Sequence, residues 1–159
     1  MFWVILLMAQ AATPSQTDRG EAQFFASPEG CGSCHALKGK GTAIGPDLNG
    51  IARLSPGGIV TAIRSTVSQY VQIVKLKSGE SFPATPPAGD GKVKIYDLSK
   101  TPPELHEVDK GDVSLAPNNV WKHPPSVRKY TNEQMADIIA YIRYAGAGNK
   151  QPVDPSDVQ

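Results

Sequence analysis

Two cysteines and three histidines are the side chains in this 159-residue sequence best suited to hold a transition metal. Both cysteines fall in one stretch, Cys31-Gly32-Ser33-Cys34-His35. Two thiols two residues apart can add to the two vinyl groups on one edge of a porphyrin, and a histidine directly after them can turn its imidazole to the iron. Cys31 and Cys34 are therefore read as the thioether residues of one covalent haem c, with His35 as proximal ligand. A zinc site would need four ligands, and only His106 and His123 remain, at the wrong spacing for a finger. A haem-free dithiol centre expects the motif to open a helix after a strand, and no strand is predicted before Cys31. The other face of the iron then decides the chemistry: a sixth ligand makes a closed electron-transfer site, whereas an open position would bind or activate a small molecule.

The elements that must position these residues are legible in outline. Residues 1–12 are apolar and end in small side chains, too short to span a bilayer and suited to a signal peptide cleaved near Ala9-Gln10-Ala11. Residues 13–17 read as a linker. A short helix is predicted over Asp18–Ala26, capped by Thr17 or Asp18, with Phe24 and Phe25 on its buried side. The glycine-rich run after the motif predicts a loop without regular structure. Ser55-Pro56 reads as an N-cap with proline at the first helical position, followed by Ile59, Ile63 and Val67 at helical spacing. Residues 70–108 alternate, which predicts an antiparallel sheet of two to four short strands, with 82–91 as loop between them. Thr131 and Gln134 form a capping box for a last helix bearing Met135, Ile138, Ile139 and Ile142 on one face, ended at Gly146. The polar tail 147–159 is expected to be disordered. Sixteen Lys plus Arg against fifteen Asp plus Glu argue against a nucleic-acid binder, which would show a clustered basic excess.

The CGSCH motif, the Ile44-Gly45-Pro46-Asp47-Leu48 loop and the Ala140-Tyr141-Ile142 helix together resemble the single-haem c-type cytochromes, over residues 18–146. The resemblance implies a mainly α, class I-like cytochrome c fold. The β insert at about 70–108 resembles a bacterial subgroup often found beside dehydrogenase modules. It also implies that the Pro46 carbonyl orients His35, that Arg53 reaches a haem propionate, and that Gly20 and Phe24 meet Tyr141 where the first and last helices cross. Members of that family commonly bring a Met-Pro pair to the iron from a loop before the last helix. This chain departs from that pattern. Its methionines are Met1, Met8 and Met135, the last on a core-facing stripe, while His123-Pro124-Pro125 occupies the loop. His123 is thus expected as the distal ligand, with prolines to stiffen its presentation. His106, between acidic neighbours, is the competitor, and an open site is the third alternative.

From this follows the expected function: an exported, periplasmic bacterial electron carrier or electron-transfer subunit with His35/His123 ligation, rather than an enzyme. The alternative is a haem enzyme, peroxidase-like, or a gas or ligand sensor with an open sixth position. Partners would be redox proteins, such as a dehydrogenase or a respiratory complex. Lys38, Lys40, Lys122, Arg128 and Lys129 are candidates to steer an acidic partner. No transmembrane span is expected in the mature chain.

Overall fold

The computed structural model describes residues 13–64, 67–116 and 120–159. The expected signal segment, Met1 and Met8 included, lies outside the described residues, as do Asn118 and Asn119 of the distal loop.

The first helix, α1, spans Gln16–Phe24 and starts two residues earlier than expected. Its cap is Ser15: the hydroxyl accepts from Asp18 N–H at 3.2 Å while the Asp18 carboxylate accepts from Ser15 N–H at 3.0 Å. This reciprocal pairing satisfies two donors that a helix start leaves free. After the CGSCH turn, β1 (Ala36–Leu37) and β2 (Lys40–Gly41) form a minute hairpin within the stretch expected to be irregular. Helix α2 spans Pro56–Arg64, with Ser55 Oγ accepting from Gly58 N–H at 3.2 Å.

Between α2 and the distal loop the chain is richer in β structure than its alternation suggests. Strand β3 (Gln72–Leu76) pairs with β4 (Ser81–Ala84) on one side and β7 (Val113–Ala116) on the other, all antiparallel. A separate hairpin joins β5 (Lys92–Asp97) to β6 (Glu104–Asp109). Val74, Phe82, Ala84, Val93 and Ile95 give this insert a core of its own. Two expectations fail here. The insert runs on to Ala116 rather than stopping near 108, and Phe82–Ala84 is strand rather than loop. Pro83 is tolerated because β4 is the edge of its sheet, where a missing N–H breaks no ladder on the open side.

The chain is therefore not mainly α. Among the described residues it is 35% helix and 21% strand, the strands lying in three sheets. Only the closing helix is long.

That helix, α4, spans Asn132–Ala147 and follows the four-residue α3 at Pro125–Arg128. Thr131 and Gln134 cap its start, and Gly148, at φ 70°, ends it. Gly146 is not the cap; it lies inside the last turn, pressed against Ala52. Helix α1 crosses α4 at Gly20, where a side-chain carbon would collide with the Asp137 carbonyl and stand 2.8 Å from Tyr141 Cβ. Phe24 packs edge-on against Tyr141, ring centroids 5.4 Å apart. Arg19 grips the buried Asp137 carboxylate with both arms of its fork, Nε at 2.8 Å and Nη2 at 2.7 Å.

The C-terminal tail is ordered, against expectation. Val153 and Val158 are buried with Ile59, Val60, Met135 and Ile139 in the core between α2 and α4. The Gln16 amide holds both backbone groups of Val153, at 2.8 and 3.0 Å, and Arg64 Nη1 donates to the Val158 carbonyl at 3.0 Å. A polar composition concealed two valines that complete a core. Val158→Ala should cost about 1.5 kcal/mol, the loss of two buried methyl groups. A urea midpoint unchanged by that substitution would show the tail to be dispensable.

Candidate haem site

The CGSCH motif folds as one tight turn. Residues Cys31–Ser33 make a 3₁₀ turn, and the Cys31 carbonyl accepts from both Cys34 N–H (3.1 Å) and His35 N–H (2.9 Å). Two neighbouring segments then wrap the turn. Thr42 N–H donates to Gly32 O at 2.9 Å, and Ile44 and Gly45 N–H both donate to Cys34 O at 3.1 and 2.7 Å. The loop is thereby folded back so that Pro46 faces the imidazole: His35 Nδ1–H donates to the Pro46 carbonyl at 2.7 Å. That bond leaves Nε2 as the nitrogen free to ligate, and a carbonyl partner of this kind raises the basicity of a metal-bound ring. Gly45 is needed for the approach, since a Cβ there would lie 2.6 Å from His35 Cε1.

Cys31, Cys34 and His35 border a cavity of about 430 Å³, lined mainly by apolar side chains. Helix α2 contributes Ala62 and Ile63, the following segment Val67 to Val71, α4 Met135 and Ile142, and the distal loop Trp121 and His123. The insert closes another side through Thr85, Leu98 and Lys100, and Thr85 Oγ1 ties it to the Ile44 carbonyl at 3.1 Å. Ser68 N–H donates to Trp121 O at 3.1 Å, which pins the distal loop to the segment after α2. Trp121 also flanks the His123 ring, centroids 5.7 Å apart.

His35 and His123 face each other across this cavity, with ring centroids 6.1 Å apart and planes inclined by 31°. Burial pushes the His123 imidazole down to about 4, helped by the proximity of His35; the Ile63 backbone opposes the shift without forming a well-aligned hydrogen bond to Nδ1. Burial likewise lowers His35, against the raising effect of the Pro46 carbonyl. Both rings are therefore held in the neutral form that binds metals. The Cys31 thiol is pushed up to about 11 by burial, and Cys34 is raised for the same reason. These are thiols kept protonated by an apolar wall, unlike the low-pKa thiol of a dithiol redox centre.

Other expected site residues stand elsewhere. Arg53 is exposed on the 3₁₀ turn Ile51–Arg53 and does not line the cavity. His106 also lies away from it; its ring stacks on Phe82 in the insert, centroids 4.7 Å apart. Lys38, Lys40, Lys122 and Lys129 are exposed, and Lys40 is paired with Glu21 at 3.3 Å. Lys100 and Met135 also line the cavity, although the sequence places neither at the site: Lys100 enters from the turn between β5 and β6, and Met135, buried in the core, borders the cavity from α4.

No helix among the described residues is long and apolar enough to cross a membrane. A search of the curated proteins found no match. Residues 17–97, half of the chain, match the family model described as Cytochrome c, a stretch holding α1, the CGSCH turn, the Pro46 loop and the insert as far as β5. His123 and α4 lie beyond it. An apolar cavity with two thiols and a histidine on one wall fits a covalently attached haem, and with the family match it settles the identity: this chain belongs to the cytochrome c family, whose members carry haem and transfer electrons through it.

Proposed function

We propose that this chain is an exported single-haem electron carrier in which His35 and His123 are the two axial ligands. The separation of the two rings carries the reading. Two imidazoles binding one first-row metal ion from opposite sides at about 2.0 Å, each with its centre about 1.2 Å behind the ligating nitrogen, would stand about 6.4 Å apart. The observed 6.1 Å fits that arrangement. Haem supplies a reversible one-electron change at its iron. The chain contributes the rest: Cys31 and Cys34 fix the ring edge, Pro46 holds His35, and Trp121 with Pro124 holds His123. The apolar lining excludes water. A second imidazole in place of a thioether lowers the reduction potential, because methionine favours the ferrous state. With His35 and His123 both holding the iron, the site would be closed to substrate, and the partner would be another redox protein docking where Val67 and Tyr70 border the cavity with exposed side chains.

Optical and EPR spectra of the oxidised, haem-loaded protein test this beside a His123→Ala variant. The wild type should be low-spin with a bis-imidazole signature, and the variant high-spin and open to added imidazole. A variant that stays low-spin would assign the sixth position to another side chain, the Met135 thioether being the one that borders the cavity. A wild type already high-spin would favour a ligand-binding or enzymatic site instead.

A further inference from the structure

The cavity carries very little charge. Among the described residues that line it, only Glu29, Asp47 and Lys100 bring carboxylate or ammonium groups. The two acids belong to the segments that flank the motif: Glu29 precedes Cys31 by two residues, and Asp47 follows Pro46. Burial raises the Tyr130 phenol, with smaller contributions from Cys31 and Glu29 nearby. Among the described residues, the one Lys or Arg of the lining is Lys100, and it comes from the insert.

Its loop is built to stay in place. Lys100 lies between β5 and β6, just after the buried Asp97, whose Oδ1 accepts from Ser99 N–H at 2.8 Å and Ser99 Oγ at 2.6 Å. Leu98 N–H donates to Pro83 O at 2.9 Å, which anchors the same loop to the neighbouring sheet. Lys100 forms no ion pair among the described residues. Lys100 borders the cavity and is exposed to solvent.

Haem brings two carboxylates, both on the edge of the ring opposite the vinyl groups that Cys31 and Cys34 would take. That edge cannot turn to the motif side, where Glu29 and Asp47 would repel it. We propose that Lys100 is the residue that pairs with a haem propionate, in the place expected of Arg53, so that the insert serves as the carboxylate-binding wall of the site. The inference rests on the haem reading above. It gives the insert a function: a positive charge at the propionate edge offsets negative charge near the iron and so favours the ferrous form.

Equilibrium redox titrations of the haem-loaded full chain test it, at low and high salt, for wild type, Lys100→Ala, Lys100→Arg and Arg53→Ala. The potential of Lys100→Ala should fall, more at low salt than at high, since an exposed pair is screened. Lys100→Arg should restore it, and Arg53→Ala should leave it near the wild-type value. Lys100 is exposed, so its variants should keep the wild-type spectrum and unfolding midpoint. A low-spin, covalently loaded wild type whose potential is insensitive to Lys100→Ala would overturn the assignment, and a fall in Arg53→Ala alone would return the role to Arg53. A wild type without the low-spin bis-imidazole signature would instead sink the axial-ligand reading, which the spectra report independently of the potential.

Discussion

Made without haem, this chain should lose its cooperative fold. The cavity between the CGSCH turn, α2, α4 and the insert measures about 430 Å³. Unfilled cavity in a protein core costs about 24 cal/mol per Å³, so an enclosed space of this size would forfeit about 10 kcal/mol. Opening to solvent reduces that figure, yet even half of it rivals the roughly 5–15 kcal/mol that holds an ordinary domain together. The insert has its own apolar core and should keep part of its strand signal. Circular dichroism of protein expressed without haem attachment should therefore show weak far-UV strand content, little near-UV signal and no sharp urea transition. A sharp, native-like transition in the haem-free chain would mean that the helical layer closes on itself without a cofactor.

Gly20→Ala should destabilise the haem-loaded protein by about 2 kcal/mol, although the same change in an exposed helix would stabilise by about 1 kcal/mol. The sign reverses because the added carbon meets backbone: the Asp137 carbonyl of α4 lies in its way, with Tyr141 Cβ at 2.8 Å. Neither can swing aside, and α4 also carries Met135 and Ile142 on the cavity wall. Separating α1 from α4 would loosen the Phe24–Tyr141 contact and the Arg19–Asp137 grip together. Gly20→Val should be worse still. Urea midpoints measured with haem in place decide the matter; a stabilised Gly20→Ala would mean that the helices have room to spare.

What could be read from the sequence was local. The CGSCH spacing, the Thr131 capping box and the Ser55-Pro56 start are each specified by neighbouring residues, and each appears at its predicted positions. What could not be read was set by distant partners. Pro83 argues against a strand until β4 is known to be an edge. Val153 and Val158 look like isolated apolar residues in a polar tail until α2 and α4 offer a gap for them. Asp18 fits a cap as well as Ser15 does, and only the reciprocal bond with Ser15 decides between them. The site divides the same way. The turn that presents Cys31, Cys34 and His35 is contiguous, whereas Lys100 enters only through the pairing of β5 with β6 and the seating of the insert against the Ile44 loop.

The insert lies wholly between His35 and His123, which are 88 positions apart in the chain (123 − 35). If one iron joins those two rings, it closes every strand from β3 to β7 into a single loop, as a cross-link would. Tying off a loop of that length removes unfolded-state entropy worth about 4–5 kcal/mol on the scale used for disulfides. Unlike a disulfide, this clasp would depend on a coordinate bond that competing imidazole can open. The distal histidine would then be the fastener of the β insert as much as a ligand, and the thioethers, carried on one contiguous turn, would be free to form before the loop is drawn shut.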